Sequence, residues 1–250
     1  DQHGTIWWGG DGPSTEHTVY LNLANGITAP DSGSIARNGK RMAEQCGGQI
    51  FSDLWGLMAP NNPELAADYA TRASSVSHDG EGIHGGRFIA ALVSQAFSTR
   101  DPDALIETGL RLIPAESEYA RMVRAVLEIY RGQPDDWKAG YEVIRQRFGS
   151  ANYPGEWHVI PNAAIVVMAL LYGSGDFSAT IRIATNAGWD TDCNAGNAGA
   201  IIGVAVGLAG IEAHWRAAMN DVLVAASLTG ARNLWNIPAC ADVFCGLGQQ

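Results

Sequence analysis

Apolar positions along the chain follow no regular period before about Pro63 and a helical one almost everywhere after it. Glu64 to Ser75 carries Leu65, Tyr69 and Ala73 at steps of four, which predicts a helix with these three on one face. Phe88, Leu92, Gln95 and Ala96 share one face of the next helical segment. Asp101-Pro102 has the form of a cap followed by a first-turn proline, opening a helix that would bury Leu105, Leu110 and Leu112. Tyr119, Met122, Val126 and Ile129 stripe a fourth segment, ended near Gly132 and Pro134, and Asp136 to Phe148 forms a fifth. Ile160 to Tyr172 is apolar nearly all round, the pattern of a helix at the centre of a fold. Asp176 caps Phe177 to Ala187, and a last long helix follows Asp190. Alternating apolar and polar runs of strand type are missing, so the expected class is all-α.

In the helix after Asp190, Gly196, Gly199, Gly203 and Gly207 fall on one face. Interior glycines each cost about 1 kcal/mol relative to alanine. Four on one side predict a buried, central helix against which another backbone packs closely. The region before Pro63 is instead dense in Gly, Pro, Asn and Ser, with turn chemistry at Gly9-Gly10, Asp11-Gly12 and Pro30-Asp-Ser-Gly33. Thr15 is placed to cap a short helix there. So long an irregular stretch is expected to line a site or to have covered another segment.

Composition narrows the picture. The 250 residues suffice for one buried core, and 46% hydrophobic with 17% charged residues describes a globular chain. A net charge of -10 argues against nucleic acid or anionic membrane as partners. The longest apolar stretch, Ala198 to Ile211, is too short to span a bilayer, which needs about 20 residues. Asp1 to Gly12 shows no basic start with an apolar run, so no signal peptide is expected. Cys46, Cys193, Cys240 and Cys245 lack C-x-x-C spacing. Although Cys240 and Cys245 could pair across a turn, single reduced thiols in a cytoplasmic protein are the expectation.

Candidate chemistry concentrates in Gly188-Trp-Asp-Thr-Asp-Cys-Asn194, just ahead of the glycine-sided helix. Asp190 and Asp192 in a helix-entry turn can point into one small volume, which is unfavourable unless a cation sits between them. Oxygen donors of this kind suit magnesium, calcium or manganese. The plainer alternative is that one aspartate caps the helix and accepts its free N–H groups.

The segment Gly188-Trp-Asp-Thr-Asp-Cys-Asn-Ala-Gly-Asn-Ala-Gly-Ala-Ile-Ile-Gly203 resembles the signature of the ADP-ribosylglycohydrolase family. Ala73 to Ala91 and Gln45-Cys-Gly-Gly-Gln-Ile-Phe-Ser-Asp-Leu-Trp-Gly56 are similar to two further family blocks, and His158 to Asn162 followed by Asp176-Phe177 completes the order. Together these cover about residues 40 to 215. The resemblance implies an orthogonal helical bundle forming a single domain over 1–250, with two magnesium ions, replaceable by manganese, held over a ribosyl bond. It implies Asp190 and Asp192 as catalytic metal ligands and Cys193 at a third metal position where relatives usually have threonine. Gly47, Gly48, Gln49, His78 and Glu81 would bind substrate. Phe51 stands where relatives often carry arginine, and Glu81 where many carry asparagine.

The family's Gly-Asp-Ala-Leu-Gly-like and Thr-Asp-Asp-Thr-like blocks, which supply half of the metal ligands, are not found. Ser14-Thr-Glu-His-Thr18 could stand in, with Glu16 and His17 for two aspartates. Its short distance to the Gly47 loop, and the later-segment character of Tyr20 to Gly26, favour instead a chain that starts downstream of those blocks. An N-terminal segment or second chain would then complete the site. Three functions follow. The first is a divalent-metal-dependent hydrolase of a ribosyl N- or O-glycosidic bond in small-molecule or protein-linked substrates. The second is a non-catalytic helical scaffold or binding module. The third is a metal-independent carbohydrate-active enzyme using Asp53 and Asp79, with Trp7, Trp8, Trp55 and Trp157 stacking sugars.

Overall fold

The computed structural model describes residues 14–153, 157–224 and 234–249. Trp7, Trp8 and the turn signals at 9–12 lie outside the described residues. The chain is all-α. In order it forms α1 (Thr15–Ala24), α2 (Ile35–Asn38), α3 (Lys40–Ala43), α4 (Gly47–Ile50), α5 (Asp53–Met58), α6 (Pro63–Ser74) and α7 (Glu81–Gln95). There follow α8 (Pro102–Arg111), α9 (Glu118–Gly132), α10 (Trp137–Phe148), α11 (Val159–Gly173), α12 (Phe177–Asn186) and α13 (Thr191–Val206). At the C-terminal side are α14 (Ala213–Met219), the strands β1 (Val222–Val224) and β2 (Leu234–Asn236), and α15 (Ile237–Gly248). The two strands pair antiparallel, Leu223 opposite Trp235, a small sheet that no alternating run announced. No helix among the described residues is long and apolar enough to cross a membrane.

Its all-round apolar sequence sends α11 to the centre, where every residue except Tyr172 is buried. Helices α7, α9, α10, α12 and α13 pack around it. The stripe on α9 works as its spacing implies: Tyr119, Met122, Val126 and Ile129 are all buried. Side-chain caps from Asp101, Ser117, Asp136 and Asp176 start α8, α9, α10 and α12. On α8 the buried apolar pair is Leu105 and Ile106, whereas Leu110 and Leu112 stay half-buried.

Three expectations change. First, α6 buries Ala66, Ala67 and Ala70, while Leu65 is exposed. Small side chains let α6 approach Ala90 of α7, a fit that leucine would prevent. Second, residues 14–62 are not irregular, because Ser14 (not Thr15) caps α1 and four further short helices follow. Third, α13 is only half-buried, the central place belonging to α11. Its glycines meet side-chain tips rather than backbone. A β-carbon on Gly196 would lie 3.1 Å from Ile50 Cδ1, and one on Gly199 would lie 3.1 Å from Ile181 Cδ1.

Backbone does approach backbone at α7. A β-carbon on Gly86 would sit 2.6 Å from the Gly48 carbonyl oxygen and 2.6 Å from Ser74 Oγ. Gly86→Ala is therefore expected to lower unfolding free energy by at least about 2 kcal/mol, since a rigid carbonyl must move to admit a methyl group. A urea titration reads this directly, and an unchanged midpoint would refute the close fit.

Candidate functional site

Four stretches distant in sequence meet around a cavity of about 410 Å³, lined by Ser14, Glu16, Gln45 to Gly47, Ile50, Phe51, Trp157, Asp190, Asp192 and Cys193. Each is held by hydrogen bonds to its neighbours. Thr15 Oγ1 lies 3.0 Å from the Met42 carbonyl and 2.6 Å from Gln45 Oε1, which pins the start of α1 over the loop. Glu16 Oε1 then stands above Gly47, 3.4 Å from where a β-carbon there would be. The loop is tied to the entry of α11 by a short antiparallel bridge between Gln45 and His158. In it Cys46 N donates to Trp157 O at 2.7 Å and Val159 N to Glu44 O at 2.9 Å.

Asn162, fully buried on α11, positions the acidic turn. Its Oδ1 accepts from the Asp190 amide at 3.0 Å and from Asn194 Nδ2 at 2.9 Å. Left-handed backbone at Gly188 (φ 81°) and Trp189 (φ 56°) reverses the chain from α12 into α13. Trp189 is steadied there by the Tyr141 ring at 6.1 Å. Asp190 occupies the N-cap position of α13, yet its carboxylate caps none of the helix amides. Oδ2 instead accepts from the Cys46 thiol at 2.7 Å. One donor atom from each of Cys46, Asp190 and Cys193 lies within 4.8 Å of the others. Hydrogen bonding to Cys193, burial and the Asp190 carboxylate all push the Cys46 thiol strongly up. Asp192, in the first turn of the helix, is exposed on the cavity wall.

Other residues expected at the site lie behind the loop. Gly47 lines the cavity, whereas Gly48 is buried and donates its N–H to His78 Nε2 at 3.0 Å. The His78 ring, buried with Ser77 Oγ 2.7 Å from Nδ1, is pushed down to about 4 by burial and is neutral at pH 7. Gln49 is fully buried, accepting from Tyr119 Oη at 2.8 Å and donating to Asn197 Oδ1 at 3.2 Å. Asn197 in turn donates to Asp53 Oδ1 at 2.8 Å. Burial raises the Asp53 carboxyl to about 7, and that single donor only partly offsets it. Glu81 accepts from the Glu118 and Tyr119 amides at 3.0 and 2.9 Å, at the N-terminus of α9. Burial disfavours its charge, but the His84 bond and these amides outweigh that and lower its pKa. Asp79 accepts from the Ile35 and Gly80 amides. The cavity lining includes neither Asp53 nor Asp79, and Trp55 packs on Tyr69. A larger cavity, about 870 Å³, lies between α14 and α15 and gathers no comparable cluster of donors among the described residues.

Cys46 and Asn162 escaped the residue-by-residue reading, although both stand inside blocks that carried the resemblance. Cys46 follows Gln45, and Asn162 closes the run from His158. Their roles come from contacts across 144 and 28 residues, which no local spacing displays. None of the four cysteines is in a disulfide.

The donor chemistry bears on the metal. Asp190, Asp192 and Glu16 offer hard oxygens of the kind magnesium and manganese take. Two of the three clustered donors are thiols, which those ions bind poorly. The Cys46–Asp190–Cys193 cluster by itself does not suit the magnesium implied by resemblance. A family model described as ADP-ribosylglycohydrolase matches residues 2–239, a wider span than the blocks legible by eye. A search of curated proteins found no match.

Proposed function

This chain belongs to the ADP-ribosylglycohydrolase family, and from that premise we propose that it hydrolyses a ribosyl N- or O-glycosidic bond of ADP-ribosylated substrates in the 410 Å³ cavity. The observation that carries this reading is the Asp190 carboxylate, which stands at a helix start without capping it and lies beside the cavity with Asp192. Breaking a ribosyl bond develops positive charge on the sugar carbon, and carboxylates fixed beside it stabilise that charge. Asp192, exposed on the same wall, accepts the proton of the attacking water, while Asp190 holds its place through the Asn162 anchor. Glu16 adds a third carboxylate from the opposite segment.

Phe51 and Trp157 are 59% and 51% exposed, yet both line the cavity and offer aromatic faces to a nucleobase or sugar. Stacking of that sort contributes about 1–3 kcal/mol per base. Trp157→Ala is therefore expected to raise KM about 5- to 100-fold with a smaller change in kcat, because the ring touches the substrate far from the reacting bond. An unchanged KM would remove Trp157 from the binding surface.

The direct test is release of ADP-ribose from an ADP-ribosylated protein, followed chromatographically across a panel of divalent ions and with chelator. No release under any condition would exclude the hydrolase and leave the binding-module reading. The thiols at the metal-type cluster are the specific observation favouring that alternative.

A further inference from the structure

We propose that Cys46, Cys193 and Asp190 form a three-ligand site for a thiophilic divalent cation, zinc foremost, with the fourth coordination position open to the cavity. The inference stands on the donor set and holds whether or not the chain hydrolyses a ribosyl bond.

The geometry is close to what such an ion needs. Zinc takes thiolate sulfur at about 2.3 Å and carboxylate oxygen at about 2.0–2.2 Å, so tetrahedral ligand atoms stand about 3.5–3.8 Å apart. The three donor atoms already lie within 4.8 Å of one another. Cys46 Sγ stands 2.7 Å from Asp190 Oδ2, a short contact in which the thiol donates its proton. Exchanging the proton for a cation requires these two atoms to separate by about 1 Å, within the reach of small side-chain rotations.

Backbone fixes both ends of the site. The Cys46 amide is held by the Trp157 carbonyl and the Asp190 amide by the buried Asn162, so the ligands approach the ion already oriented. Cys46 is 5% exposed and forms the floor, whereas Cys193 and Asp190 are half-buried and border the cavity. Three protein ligands with one open side is the arrangement of zinc sites that also take water or substrate. Binding releases the two thiol protons and leaves a cluster of formal charge −1 in place of three potential anions. Magnesium, which accepts oxygen and keeps its waters, gains little from two sulfurs.

Cobalt(II) supplies the test, since thiolate ligation gives it a near-ultraviolet charge-transfer band that carboxylates do not. Reduced protein, stripped with chelator, is titrated with cobalt and then zinc. The expected result is one charge-transfer site per chain, abolished by zinc and insensitive to excess magnesium. Cys193→Ser should weaken the band, Cys46→Ser combined with Cys193→Ser should abolish it, and Cys245→Ser, at an exposed thiol on α15, should keep it in full. Cys193→Asp provides a second variant, expected to weaken the band and gain magnesium affinity with an unchanged far-ultraviolet spectrum. No band in the wild type, a band undiminished by Cys193→Ser or surviving loss of both cysteines, or displacement by magnesium would overturn the proposal.

Discussion

Replacing Asp190 by asparagine is expected to lower kcat/KM for ribosyl hydrolysis by about 100- to 1,000-fold, the loss that removing one preorganised electrostatic group typically produces. The fold should survive. The Asp190 amide still donates to Asn162 and its carbonyl still accepts from the Asn194 amide at 2.9 Å. Its carboxylate caps no helix amide, and an asparagine oxygen can still receive the Cys46 thiol. The melting temperature should therefore move by no more than a few degrees, the equivalent of less than about 1 kcal/mol. Steady-state kinetics beside a thermal scan separate the two quantities. An intact kcat/KM in a folded variant would show that this carboxylate takes no part.

A second large effect is expected in the pH dependence of stability. His78 has a folded pKa near 4, below its ordinary value, so its contribution is present above about 6.5 and is lost as pH falls through 4. Asp53 behaves oppositely. Its folded pKa is about 7, so its contribution is present below the unfolded value of 3.8 and is lost as pH rises through 7. At about 1.4 kcal/mol per unit, the full change is about 3–4 kcal/mol for His78 and about 4–5 kcal/mol for Asp53. The windows overlap almost completely, so in the wild type the two largely cancel. Asp53→Asn keeps an oxygen for Asn197 Nδ2 and removes only the titration. The stability of the variant relative to wild type should thus climb by about 3–4 kcal/mol between pH 4 and pH 8. Urea unfolding at four or five pH values measures it. Parallel profiles for the two proteins would refute the burial of the Asp53 carboxyl.

The central helix was legible because Ile160 to Tyr172 has no polar face, and burial on all sides follows from that alone. Capped helices were equally legible, since Asp101 and Asp176 act through bonds to amides two or three residues away. The face of α6 was not. Leu65 is the larger side chain, but an alanine surface and the glycines of α7 make close approach more favourable than burying leucine, a choice settled by the partner helix. The same limit applies to the site. The Asp190 turn was visible as a local pattern, whereas Cys46 reaches it only through the tertiary fold. His78, Gln49 and Glu81 sit in family blocks, but their polar atoms are occupied by Gly48, by Tyr119 and Asn197, and by the start of α9. Adjacency in sequence to a cleft residue does not tell whether a side chain faces the cleft or the wall behind it.

The bridge between Gln45 and His158 makes the amides of Cys46 and Val159 part of the interior despite their place beside an open cavity. Solvent deuterons can replace those two protons only when the loop parts from the end of α11. Their replacement should be as slow as that of the central helix and far slower than that of exposed turns nearby. The aromatic rim at Trp157 and the sulfur floor at Cys46 therefore open and close as one piece, and anything that grips the rim also stiffens the floor.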